Sequence, residues 1–227
     1  MGTRLKWFIL NYSSDAFDMI REGMLKNELV PDARAGFRLE GFEEKLVVGR
    51  FIVRNEITEN VEDPFGNNVT FERIFYDITK FKIDANSNVL ELQDPPRSTK
   101  ELFNKIATFA EYNIAIEAPV IDLHRWINSI EKRVGDITVT KLHGTGISLS
   151  LKANAQLLVT GSEDVRPHFT TMVNKKPSII TKAKIQFGFD GHQCILEISN
   201  QGTAQLSNSY DDRLVRVLVD SMLDSKL

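Results

Sequence analysis

A chain of 227 residues with 42% hydrophobic and 26% charged residues has the composition of a folded globular protein, which excludes wholesale disorder. A formal net charge of −3 excludes a polycation that would coat nucleic acid along its whole length. One cysteine, Cys194, excludes an internal disulfide, no apolar run approaches the roughly 20 residues of a membrane helix, and no secretory leader pattern stands at the start, so a cytoplasmic protein without membrane contact is expected.

Residues 4–12 (RLKWFILNY) read as a strand, Ser13-Ser14-Asp15 as a cap and 16–25 as a short helix. Residues 31–41 are polar, hold two glycines and read as loop. In 45–58, Val47, Phe51, Val53 and Ile57 share one parity, with Arg50, Arg54 and Glu56 on the other, which is the pattern of a half-buried strand. Residues 63–68 (DPFGNN) form a dense turn signal, and 69–84 return as a strand. Its parity slips. Ile74, Tyr76 and Ile78 fall on one face and Phe81 and Ile83 on the other, so a bulge near Thr79 is expected. Residues 86–88 turn the chain into a third strand, 89–92, which makes 45–93 a β-meander with long arms.

Pro95-Pro96 is the clearest boundary signal, because two prolines suit neither a helix interior nor a central strand. Ser98 and Glu101 then have capping-box spacing before a stripe of Leu102, Phe103, Ile106, Phe109 and Ala110. Residues 113–121 read as a strand broken by Pro119. Asp122 stands at an N-cap, Leu123, Trp126, Ile127, Ile130 and Val134 at helical spacing, and Gly135 at the stop. A strand over 137–142 is followed by a glycine-rich turn, 143–146, and by a second strand over 147–152. Residues 155–159 make a further strand. A helix starts near Asp164, with Pro167 in its first turn, and carries Val165, Phe169, Met172 and Val173. In 179–189, Ile179, Ala183, Ile185, Phe187 and Phe189 share one parity, and Lys182, Lys184 and Gln186 the other. Asp190-Gly191 is a hairpin turn into a strand through Cys194, Leu196 and Ile198, Gln201-Gly202 breaks that strand, and a last helix starts at Asp211 or Asp212.

The order implies an α+β protein: an N-terminal β-meander part with a short helix (1–94), packed on a ferredoxin-like βαββαβ part (98–227) that ends in a strand and helix. Such a layout hosts many functions, so function has to come from sites.

No phosphate loop, nucleophile elbow, metal-binding histidine pair or C-x-x-C occurs, so no catalytic residue, metal ligand or cofactor is assigned. His143, His168 and His192 could meet only if their loops converged, and Cys194 sits on the apolar parity of its strand, as a structural cysteine does. Asp77 with Lys80, or Glu44 with Lys45, would serve a metal-dependent hydrolase or nuclease, although neither spacing is specific. Charge asymmetry is the one functional signal. Lys141, Lys152, Arg166, Lys175, Lys176, Lys182 and Lys184 outnumber three acids between 141 and 192. From it, Lys152, Lys175, Lys176, Lys182 and Lys184 are expected to form a weak, sequence-nonspecific surface for DNA or RNA. A basic strand face also serves simply to guard a sheet edge. The leading functional expectation is therefore a non-enzymatic binding subunit or adaptor, with a protein partner or a second copy of itself.

Overall fold

The computed structural model describes residues 2–13, 15–150, 153–174, 176–207 and 211–227. It is a mixed α/β structure in which antiparallel strands predominate, and by internal contacts it divides into two compact units, Ile9–Glu117 and Met1–Phe8 with Ala118–Leu227. The first strand, β1 (Thr3–Tyr12), contributes to both, changing unit after Phe8. No described helix is long and apolar enough to cross a membrane.

The unit Ile9–Glu117 holds α1 (Ala16–Lys26), β2 (Ala35–Phe42), β3 (Leu46–Glu62), β4 (Asn68–Asp84), β5 (Val89–Gln93), α2 (Lys100–Phe109) and β6 (Ile114–Glu117). Its strands run β2-β3-β4-β5-β1, with β6 also paired to Ile9–Tyr12 of β1. The core is aromatic. Phe37 meets Phe51, Phe81 and Phe109 at centroid distances of 4.9, 5.8 and 5.7 Å, and Ile20, Met24, Leu102 and Ile106 close it from the helices. Residues 35–42 are a strand and not the expected loop. Phe37 is fully buried, and Gly36 permits the close approach, since a Cβ there would lie 2.7 Å from the Leu29 Cα. The capping box is also not formed. Thr99 stands at the α2 N-cap with no side-chain cap, and Ser98 Oγ accepts only a long 3.5 Å bond from the Lys100 N–H.

β3 and β4 pair without interruption from Leu46↔Asp84 to Glu62↔Asn68, so the expected bulge near Thr79 is absent. The parity slip is real, but the chain resolves it by exposure. Phe51, Phe81 and Ile83 point into the core, while Ile74, Tyr76 and Ile78 lie on the opposite face in solvent. The hairpin outruns its neighbours. β2 pairs with β3 only as far as Val53, and β5 with β4 only from Lys80.

The second unit holds α3 (Leu123–Val134), β7 (Ile137–Ser150), β8 (Ala153–Thr160), α4 (Arg166–Val173), β9 (Ile179–Phe189), β10 (His192–Ser199), β11 (Thr203–Leu206) and α5 (Asp212–Leu223). Its strands run β1-β11-β10-β9-β7-β8. A ferredoxin-like layout would put β6 between β8 and β9. β7 occupies that place, and β6 pairs with β1 instead. Two features drive the difference. β6 is only four residues long before Pro119, and residues 143–146, expected as a turn, continue β7 through register shifts that absorb them. The β11 strand was hidden by its length, with only Ala204 and Leu206 facing the core.

The helices α3 and α5 cover the inner face of this sheet. Trp7 meets Trp126 edge-on at 6.1 Å, and the buried Trp126 indole N–H donates to the Leu218 carbonyl at 3.1 Å. Asp122 caps α3 by accepting from the His124 and Arg125 amides, and Asp211 caps α5 by accepting from Arg213 and Leu214. The turn at Asp190-Gly191 has φ of +50 and +78, as a two-residue hairpin requires.

Candidate binding surfaces

Two surfaces stand out, one in each unit. The first is the free half of the β3–β4 hairpin. From Glu56 to Ile74 every residue is exposed except the half-buried Asp63, and seven residues of strand from Glu56 to Glu62 reach about 24 Å at 3.4 Å each. Opposite residues of an antiparallel pair share a face, so Val53, Ile57, Val61, Val69, Phe71 and Phe75 all continue the parity of the buried Phe51 and Phe81. A core-facing stripe thus runs out into solvent, with Phe71 54% and the tip residue Phe65 88% exposed. Isolated apolar residues on a surface are ordinary, whereas a contiguous stripe marks a contact surface. The tip itself is rigidly made. The Asp63 carboxylate accepts the Asn67 side chain at 2.9 Å and the Asn67 and Phe65 amides, both at 2.8 Å, bonds that hold its pKa below the usual carboxylate range. Between residues 54 and 78 two arginines stand against six carboxylates, a net −4. Beyond Val53 and before Lys80, the outer edges of the hairpin carry no further strand among the described residues.

The second surface is the outer face of the Met1–Phe8 and Ala118–Leu227 sheet. Strand registers place Arg4, Gln205, Glu197, Lys184, Lys141 and Thr160 in one row across six strands. The next row is Lys6, Thr203, Ser199, Lys182, His143 and Leu158. Five cations and one carboxylate therefore share this face. Glu197 approaches Lys141 at 3.9 Å, and among the described residues no carboxylate lies within ion-pair distance of Lys182 or Lys184. The Thr181 hydroxyl bonds His143 at Nδ1, 2.9 Å, and at its carbonyl, 3.2 Å.

The expected basic site distributes as follows. Lys182 and Lys184 lie side by side on this face of β9. Lys176 follows α4, on the helix side of the sheet, with its amide on the Val173 carbonyl. Lys152 and Lys175 fall outside the described residues. Arg4, Lys6 and Lys141 join the lysines of β9 although sequence reasoning left them out of the site. Their parity was readable, but not that β1 reaches β9 through β11 and β10.

No catalytic constellation forms at the candidates raised from sequence. Among the described residues no three His, Cys, Asp or Glu side chains are placed to hold a metal ion. His143 sits inside β7 and not in a loop, His168 is exposed on α4, and His192 is exposed at the start of β10. Burial, with Asp211 nearby, pushes the Cys194 thiol up, which keeps it protonated and a poor nucleophile. Asp77 and Lys80 project from opposite faces of β4, and Glu44 and Lys45 lie exposed in the β2–β3 turn. A groove of about 510 Å³ between α3, α4 and β9 is lined by Leu123, His124, Phe169, Val173, Ile179 and Ile180, and the carboxylate beside it, Asp122, is occupied in capping α3.

No protein-family model matches the chain, and no curated protein matches its sequence.

Proposed function

We propose that this protein is a non-enzymatic binding subunit that docks onto another protein through the β3–β4 arm. The observation that carries the reading is the stripe Ile57, Val61, Val69 and Phe71, which keeps core parity while exposed to solvent. A stripe of this kind gains by burial, at about 25 cal/mol per Å² of apolar surface removed from water. The partner is a different protein. Arm-to-arm pairing of two copies would set −4 against −4, whereas an apolar groove with lysine or arginine on its rim matches both the stripe and its charge. The open edges beyond Val53 also suit strand addition, with main-chain bonds supplying affinity and the stripe supplying specificity. A cytoplasmic location belongs to the same reading.

The test is affinity capture from the source cells with the wild-type chain and with a variant carrying Ile57→Ser, Val61→Ser and Phe71→Ser. A stoichiometric partner retained by the first and lost by the second, with both chains folded, supports the reading. A partner retained equally by both, or a wild-type chain that is monomeric and unaccompanied at native mass, overturns it.

A further inference from the structure

From the rows on the outer face of the Met1–Phe8 and Ala118–Leu227 sheet we infer a second binding site, independent of the arm, that takes the phosphate backbone of a nucleic-acid duplex. The residues are Arg4, Lys6, Lys141, Lys182 and Lys184. Three observations carry the assignment.

The first is that like charges are held directly opposite each other. Lys141 faces Lys184 directly across β7 and β9. Like-charged cross-strand pairs oppose sheet formation, and the middle of a sheet is where a chain selected for stability alone would alternate signs. The alternation does occur once, at Glu197 between Lys184 and Gln205, and there it serves Lys141.

The second is spacing. Lys141, Lys182 and Lys184 form one cluster on β7 and β9, and Arg4 and Lys6 another on β1. The clusters are three strand spacings apart, roughly 14 Å at about 4.8 Å each. Between them lie Ser199, Thr203 and Gln205, together with Glu197, whose carboxylate approaches Lys141 at 3.9 Å. Two cationic lobes at that separation suit two backbones flanking a groove, the major groove of B-form DNA being about 12 Å wide. The hydroxyls and amide between them can donate to phosphate without adding charge.

The third is what the two rows lack. No Phe, Tyr or Trp stands among their residues and His143 is the one ring, so successive bases have no row of rings to stack on, and stacking is what single-strand binders rely on. Among the described residues the two rows consist of strand positions, with no helix to enter a groove and read base edges. Backbone contact without sequence preference is the chemistry left. An acidic protein surface would also satisfy the cations, but two cationic lobes three strands apart favour two parallel lines of anions over one.

The experiment is fluorescence anisotropy of the full chain with a labelled 20-base-pair DNA duplex, and with one of its strands, between 50 and 200 mM salt. Five phosphates neutralised give a log–log salt slope of about −4.5 on the duplex. Lys141→Glu with Lys182→Glu and Lys184→Glu removes detectable duplex binding at 50 mM salt. Glu197→Gln, a surface change that removes the carboxylate of the two rows, tightens binding severalfold. Lys26→Glu with Lys100→Glu, an equal class of exposed lysines elsewhere, leaves binding nearly as in the wild type. The site is overturned if the duplex does not bind at 50 mM salt, or if the single strand binds as tightly as the duplex. It is equally overturned if the control pair weakens binding as much as the triple reversal, or if Glu197→Gln fails to strengthen it. Because the arm is intact in every variant, failure here leaves the protein-docking reading standing.

Discussion

Arg166 at the start of α4 grips Glu131 on α3, thirty-five positions earlier, through two parallel hydrogen bonds of 2.8 and 3.1 Å. The same guanidinium bonds Asp164 through Nε and Nη2, and the Ile137 carbonyl at 3.3 Å. Such a fork holds two carboxylates in one geometry, which lysine could not do. Hydrogen bonds from Arg166 hold Glu131 below its ordinary range. At Asp164 burial pushes upward, and the bonds from Arg166 outweigh it and leave that carboxyl lowered as well. Arg166 in turn is raised, chiefly by Glu131.

Arg166→Leu should therefore destabilise the fold by about 2 kcal/mol at pH 7, the scale of charge-assisted bonds at a partly exposed site. Because both folded carboxyls lie below their unfolded values of 4.5 and 3.8, their contribution is whole above those values and is lost as pH falls through the lower folded ones. Urea titrations from pH 7 to pH 2 should show wild type and variant converging at the acid end. A gap as wide at pH 2 as at pH 7 would mean that packing, and not the ion pairs, supplies the stability.

Gly144 is required by Phe169. A Cβ on residue 144 would stand 2.4 Å from the Phe169 Cζ, and that ring is buried. Gly144→Ala is expected to cost about 1–3 kcal/mol by overpacking. Phe169→Leu in the same chain should recover part of that loss, giving a coupling of about 1 kcal/mol in a double-mutant cycle followed by thermal unfolding. Strict additivity of the two changes would refute the contact as the cause.

Trp126→Phe keeps a ring at the centre of the Ala118–Leu227 part of its unit but deletes the bond to the Leu218 carbonyl. Lost volume and a lost buried hydrogen bond together predict about 2 kcal/mol of destabilisation. Fluorescence-detected urea unfolding, with Trp7 as the remaining reporter, measures it. A variant as stable as the wild type would show that the bond contributes nothing net.

Much of this architecture was legible in the sequence, and the places where it was not share a cause. The caps at Asp122 and Asp211, the stop at Gly135 and the turn at Asp190-Gly191 rest on contacts within a few residues, so local pattern was enough to place them. The strand over residues 35–42 was missed because Gly36 is there for a neighbour, Leu29, that local pattern does not reveal. The parity slip at Thr79 is legible in the sequence, but local pattern points to a bulge where the chain instead leaves Ile74, Tyr76 and Ile78 in solvent. The basic face was half seen. Lys182 and Lys184 carry their parity in one strand, but joining them to Arg4 and Lys6 needs the pairing of strands more than 170 positions apart, which alternation alone cannot specify.

The arm makes the sharpest separation between what the fold needs and what lies beyond it. Joining Asn55 to Phe75 through an Asn-Gly turn removes residues 56–74 at a register where the two flanking residues already face each other. None of the deleted residues is buried, and the aromatic core of Phe37, Phe51, Phe81 and Phe109 is left intact. The shortened chain should melt within about 4 °C of the wild type, the shift that roughly 1 kcal/mol produces in a protein of this size. In the intact chain, amides of 56–62 and 68–74 should exchange with solvent well before those of 47–52, because β3 is flanked on both sides only as far as Val53. A large drop in melting temperature on deletion, or equal protection along the whole of β3, would assign the arm to the folding core. Its exposed stripe would then lose its standing as a docking surface.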